Sequence, residues 1–171
     1  MNVAIIGVGL IGGSVGKGLI SSGFAENVYG LDTCPQTLGE AIEKEAIHDV
    51  LDVAGQSKTI DMWVLAAPPE GIRAWLDRLV NLVHPETIIT DVASVKGSIC
   101  DAVPAPLRKN FLGGHPMAGK ERGGIENSVD NLFQGKHWIL TPIGAPAVLE
   151  RRAEQMVYAL DAIPVYMSAE D

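Results

Sequence analysis

The sequence predicts an α/β fold in which a doubly wound, mostly parallel sheet carries helices on both faces. Three observations point there. Short β-branched runs alternate with helical stretches along the chain. The first of those runs, Val3–Ile6, is continuously apolar rather than alternating, as a strand buried on both faces is. The run nearest the N-terminus stops on a cluster of glycines from which a helix sets out. Strands alternating with helices of this length are βαβ units, and βαβ units build parallel sheets.

Taken in order, Val3–Ile6 is the first buried strand and ends at Gly7. Ile11–Ser22 follows as a helix, because Ile11, Val15 and Leu19 recur on one face. Asn27–Leu31 is the second strand, ending at Asp32, and Pro35 opens a helix through about Lys44, proline being acceptable in a first turn. Met62–Ala67 is the next strand, closed by Pro68 and Pro69. Glu70–Val83 is the clearest helix, with Ile72, Trp75, Leu76, Leu79, Leu82 and Val83 on one face. Thr87–Thr90 is a strand ending at Asp91, and Phe111-Leu112 is a short one ending at Gly113-Gly114. Trp138–Leu140 reads as a strand, Leu149–Leu160 as a helix, and Ile163–Tyr166 as the last strand. No internal repeat, low-complexity tract or linker interrupts the pattern.

The 171 residues suit one domain with a sizeable core, at 47% hydrophobic and 20% charged residues. A net charge of −8 argues against nucleic acid or an anionic membrane surface as a partner drawn by the overall field. Neither a basic leader nor an apolar run of the ~20 residues needed to span a bilayer is evident. Cys34 and Cys100 make no disulfide or metal framework, which suits a reducing, cytoplasmic setting. No cluster has metal-ligand spacing, so no metal is expected.

Gly7-Val8-Gly9-Leu10-Ile11-Gly12 fits the G-x-G-x-x-G fingerprint, placed between a buried strand and a helix. Gly7 makes the tight turn, Gly9 lets the backbone approach a pyrophosphate, and Gly12 lets helix pack on strand. With Leu10 and Ile11, these residues present free N–H groups and the positive end of a helix dipole to phosphates. The bland alternative is a glycine turn made for packing alone. Asp32 stands at the end of the second strand, where an acidic residue holds the adenosine ribose hydroxyls, unless it merely caps the next helix. Its charge repels a 2′-phosphate, and Thr33 to Gln36 include no cation, which favours NAD over NADP. The fingerprint and Asp32 together predict a Rossmann-type dinucleotide-binding domain.

Open α/β sheets bind ligands at the carboxyl ends of their strands. Two loops there are expected to line the cofactor cleft, one containing Ala66 and Pro68, the other Asp91 to Lys96. Ser94 either contacts ligand or caps the helix starting near Lys96, and Lys96 is either part of the cleft or a solvated first-turn residue. A third loop, Gly113-Gly114-His115-Pro116-Met117-Ala118-Gly119-Lys120-Glu121, sets one histidine between glycines and a proline. A neutral imidazole there is suited to act as a general base, against the plain alternative of a structural histidine. His48, His84 and His137 lack such settings and read as structural.

The G-L-I-G-G-S run from Gly9 to Ser14, the Ser94-Val95-Lys96 loop after Thr90-Asp91, and His115-Pro116-Met117-Ala118-Gly119 with Glu121 resemble the prephenate/arogenate dehydrogenases of tyrosine biosynthesis. Leu132-Phe133 and Thr141-Pro142 match further downstream, and Ala93 stands where that family often has glycine. The resemblance implies an NAD-dependent oxidative decarboxylation of prephenate or arogenate. It places His115 on the substrate ring hydroxyl, Ser94 beside substrate and nicotinamide, and Lys120 among the substrate-binding residues. It further implies that residues 1–166 form the dinucleotide-binding domain. Residues 167–171 then begin a connection to a helical domain, through which full-length members form homodimers and complete the pocket. Two other readings are another β-hydroxyacid-type dehydrogenase domain and a non-catalytic module that senses NAD.

Overall fold

The computed structural model describes residues 1–170. The chain folds as β1 (Asn2–Ile6), α1 (Leu10–Ser21), β2 (Asn27–Leu31), α2 (Pro35–Glu43), β3 (Asp49–Val50), α3 (Val53–Gln56), β4 (Met62–Leu65), α4 (Pro69–Leu79), β5 (Ile88–Asp91), α5 (Lys96–Ala102), β6 (Leu112–Pro116), β7 (His137–Pro142), α6 (Ala147–Ala159) and β8 (Ile163–Tyr166). Strands β3-β2-β1-β4-β5 form one sheet in that order, all parallel. Strands β6-β7-β8 form a second, in which β6 and β7 are antiparallel and β7 and β8 parallel. One parallel bridge between Ile89 and Phe111 joins the two.

The expected doubly wound α/β architecture is present, and alternation along β1 shows why. Val3 and Ile5 face a core completed by Val15 and Leu19 of α1 and Met156 and Val157 of α6. Ala4 and Ile6 face the other core, with Ile72, Leu76 and Leu79 of α4 and Ile99 of α5. These side chains are wholly or almost wholly buried. Each contributes roughly 1.5–3 kcal/mol when it is Val, Leu, Ile or Met, which is why a central strand needs no polar face.

Four elements differ from the sequence reading, the simplest case being α4, which ends at Leu79 rather than Val83. The strand expected to end at Gly113-Gly114 instead runs on through His115 to Pro116, each residue in register with β7 from Thr141 to Trp138. Glycines signal a turn when nothing demands their smallness, but here they sit inside a crowded ladder. A Cβ on Gly114 would lie 2.4 Å from the Asp91 carbonyl oxygen and 2.8 Å from Thr90 Oγ1. The short β3 and α3 carry too little periodicity to be read from sequence. Among the described residues, no helix is long and apolar enough to cross a membrane.

Candidate active site

Because β1 sits between β2 and β4, the chain leaves it in opposite directions on either side, and a crevice opens at the carboxyl ends of these strands. The glycine-rich turn fills its floor. Gly7 has φ +87°, a backbone state that costs an L side chain, and its ideal Cβ would meet the Ala66 carbonyl oxygen at 2.6 Å. Gly12 lies so close to the turn that its Cβ would fall 1.9 Å from the Gly7 carbonyl oxygen. Gly9, which caps α1 without a side-chain hydrogen bond, is different: an added Cβ would meet no atom within 4 Å. Two glycines thus serve the fold, and the third keeps the approach to the first N–H groups of α1 clear. Leu10 is buried and Ile11 half-buried, so both contribute backbone rather than side chain at this point.

Asp32 ends β2 with both carboxylate oxygens engaged. Val8 N–H donates to Oδ2 and Cys34 N–H to Oδ1, each at 3.0 Å. The residue is therefore not the side-chain cap of α2, whose N-cap is Cys34. It holds the glycine-rich turn against β2 and presents an oriented anion to the crevice. Asp32 lines a cleft of about 770 Å³ together with Gly7, Gly9, Ala66 and Pro68, four other residues expected there from sequence. The far wall was not legible in the sequence. Trp75 and Arg78 of α4 line it, the guanidinium carbon lying 4.1 Å from the Trp75 ring centroid. The periodicity of α4 assigns Trp75 to a packed face, and only the fold reveals that its half-buried ring also borders the cleft.

Across β5 lies a second cluster. Asp91, wholly buried at the end of that strand, pairs with the almost wholly buried Lys96. Ala93 N–H donates to Oδ2 of Asp91 and Gly114 N–H to Oδ1, both at 3.0 Å. Burial pushes the Asp91 carboxyl above the usual carboxylate range, and Lys96 and the two N–H groups oppose the shift. Lys96 is thus neither a solvated first-turn residue nor a free cation. His115, half-buried on β6, is held below its ordinary pKa by burial first and then by the Lys96 charge, with Asp91 opposing. A neutral imidazole at this position is able to accept a proton.

Ser94 is exposed in the loop between Asp91 and α5, and it is not the helix cap, which is Val95. Ser94 and His115 lie outside the lining of the cleft, but Asp91 binds the loop of one to the strand of the other. Lys120 is exposed, and its ammonium donates to the Asn127 carbonyl oxygen at 2.8 Å. Two of the other histidines accept backbone N–H groups at Nδ1, His48 from Val28 at 2.9 Å and His84 from Glu86 at 3.3 Å.

Placed in spatial order along the carboxyl edge, the residues run Asp32 after β2, Gly7 to Gly12 after β1, Ala66 and Pro68 after β4, Ser94 after β5 and His115 on β6. Four strand spacings separate the first from the last, about 19 Å. A cleft with an anion at one end and helix N–H groups beside it suits a phosphate-bearing ligand, and His115 stands further along the same strand edge, outside the cleft's lining.

The family model for the nucleotide-binding domain of prephenate dehydrogenase matches residues 15–156. The prephenate dehydrogenase of Bacillus subtilis is 30% identical over 145 residues, covering 82% of this chain and 39% of that protein. A probable prephenate dehydrogenase of Streptomyces niveus is 33% identical, covering 97% of this chain and 45% of that protein. Among solved structures, prephenate dehydrogenase from Aquifex aeolicus in complex with hydroxyphenyl propionate and NAD+ superposes with a TM-score of 0.91 at 33% identity, over 99% of this chain and 60% of that one. Arogenate dehydrogenase from Synechocystis superposes with a TM-score of 0.90 at 27% identity, over 99% of this chain and 60% of that one. The chain spans less than half the length of these two curated relatives.

Proposed function

Since the chain belongs to the prephenate dehydrogenase family, as its nucleotide-binding domain, we propose that it binds NAD along the carboxyl edge of its sheet and takes part in the oxidative decarboxylation of prephenate or arogenate. The observation that carries this reading is the succession of Asp32, the glycine-rich turn, the Ser94 loop and His115 along one edge. Asp32 would accept the adenosine ribose hydroxyls, and its charge disfavours a 2′-phosphate, so NAD is preferred to NADP. The clear space at Gly9 and the N–H groups opening α1 fit a pyrophosphate. Bound NAD would supply the hydride acceptor.

The chain's own residues do the rest. His115 takes the proton of the C4 hydroxyl of the substrate ring. Ser94 orients the same end of the substrate from the neighbouring loop. Loss of the C1 carboxylate as carbon dioxide then aromatises the ring, so the site has to position groups and stabilise developing charge rather than drive an unfavourable equilibrium.

The substrates carry two carboxylates, which need cations. Lys96 is already paired with Asp91, and Lys120 is engaged by Asn127. The reading therefore includes a helical domain following residues 1–166 that completes the pocket, excludes water and forms a homodimer. It also includes a reducing, cytoplasmic setting, in which Cys34 and Cys100 stay free thiols.

Calorimetry with NAD and a spectrophotometric assay of NAD reduction with each substrate test the proposal. Residues 1–171 should bind NAD in the micromolar range and turn over very slowly, and activity should rise sharply once a helical C-terminal segment is appended. No NAD binding would refute the cofactor assignment. Full turnover by the 171 residues alone would refute the need for a second domain.

A further inference from the structure

We infer that Asp91 and Lys96 are positioning residues for this reaction: their buried ion pair fastens the strand carrying His115 to the loop carrying Ser94 and keeps a positive charge on the face of β6 from which the imidazole projects. The inference rests on the proposed role of His115. Its geometry stands independently.

The Asp91 carboxylate is shared between the two segments. Oδ2 accepts from Ala93, which directly precedes Ser94, and Oδ1 accepts from Gly114, which directly precedes His115. Among the described residues, one backbone bridge, Ile89 to Phe111, otherwise pairs β5 with the second sheet, so this carboxylate is the tie nearest the chemistry. Lys96 reaches it from the first residue of α5. Along a strand, residues two apart share a face, so Gly113 and His115 point the same way. The Lys96 Cδ lies 3.4 Å from where a Gly113 Cβ would be, so the lysine stem packs on that face in the room the glycine leaves.

An ion pair this deep is a poor device for stability alone, because desolvating both charges offsets most of their attraction. Its position gives it another use. From β7, the residue facing His115 is the apolar Ile139. Among the described residues, the charges acting on the imidazole are Lys96 and, more weakly and in the opposite sense, Asp91. Added to burial, which lowers the His115 pKa most, the ammonium further disfavours the imidazolium and so favours an imidazole ready to accept a proton.

Proton NMR titration of the histidines, with His115 assigned through His115→Asn, tests this without relying on turnover. In the wild type, His115 should titrate below 6.5. Lys96→Met should raise that value by roughly half a unit or more, whether the freed Asp91 stays ionised or takes up a proton. Lys96→Arg, which keeps the charge, should restore it. If Lys96→Met does not fold, Asp91→Asn/Lys96→Met leaves no unpaired buried charge. Its His115 should still titrate above the wild type, by less. In the complete enzyme, the acid limb of kcat should move up in pH with the NMR value. A wild-type titration at or above 6.5, or one unmoved by these substitutions, overturns the inference. Failure of the wild-type chain to bind NAD would instead sink the functional reading and leave the titration result standing.

Discussion

Gly9 and Gly12 belong to one fingerprint, yet alanine at each should produce opposite failures. At Gly12 the new methyl would lie 1.9 Å from the Gly7 carbonyl oxygen, 3.0 Å from its carbon and 3.1 Å from the Ala66 Cβ. The first two neighbours are backbone, so relief requires moving the turn or the start of α1. Overpacking typically costs about 1–3 kcal/mol, and a backbone contact this short belongs at the upper end. For a domain of this size, about 3 kcal/mol corresponds to a loss of roughly 6–12 °C in Tm. It is also a substantial share of the ~5–15 kcal/mol that holds a domain folded. At Gly9, φ is −76° and the methyl meets nothing within 4 Å. Because ψ is −148°, beyond the usual extended basin, alanine gains nothing there from a restricted unfolded chain, and it should leave Tm within a few degrees. The same methyl would stand where a pyrophosphate must approach, so NAD affinity should fall at least ~10-fold, or about 1.4 kcal/mol. Differential scanning calorimetry reads the first quantity and titration calorimetry the second. The reasoning is refuted if Gly9→Ala melts as early as Gly12→Ala, or if it binds NAD like the wild type.

The other predictions concern the two ends of the carboxyl edge. Asp32→Ser combined with Thr33→Arg should narrow or reverse the preference for NAD over NADP; calorimetry showing tighter NADP binding to the wild type would contradict the role given to Asp32. In the complete enzyme, His115→Asn should lower kcat by roughly 10²–10⁴, the usual share of a general base, with NAD affinity nearly unchanged. Since burial and Lys96 hold the His115 pKa below 6.5, wild-type kcat should be flat from neutral pH upward and fall as pH drops through that lowered value. A near-normal kcat in the variant would return His115 to a structural role.

Most of the fold is legible in the sequence because central strands are buried on both faces. Val3 to Ile6 and Met62 to Leu65 stand out without any knowledge of their partners, while the edge strand β8, exposed at Ile163 and Tyr166, is legible from its β-branched residues and, like β2, lies at the bounds expected for it. The fingerprint and Asp32 are legible because their chemistry is local: a tight turn, a helix start and an anion at a strand end. What escaped depends on residues distant in sequence. Gly113 and Gly114 look like a turn until Thr90, Asp91 and Lys96 crowd both faces of the strand. Lys96 looks solvated until Asp91 is seen to be buried with it. Arg78, the one cation lining the cleft among the described residues, lies on α4, four elements beyond the α2 that the Thr33 to Gln36 stretch opens, where a cation near Asp32 would be sought.

The helix that opens at the fingerprint has a second face, and its partners arrive late in the chain. Ser14 Oγ accepts from Val129 N–H at 3.0 Å, and Lys17 Nζ donates to the Ser128 carbonyl oxygen at 3.0 Å. A Cβ on Gly13 would strike the Ile125 side chain at 2.5 Å, and one on Gly18 would strike that of Leu160 at 2.5 Å. A chain emerging from the ribosome at ~5–20 residues per second presents β1 and α1 many seconds before that face is covered. The nucleotide end of the molecule is thus translated first but closed among the last, a long-range contact order that slows folding and leaves the early helix exposed to wrong partners. Stalling synthesis before Ile125 should therefore yield a nascent chain in which α1 is protease-sensitive, and extending it past Leu160 should protect it.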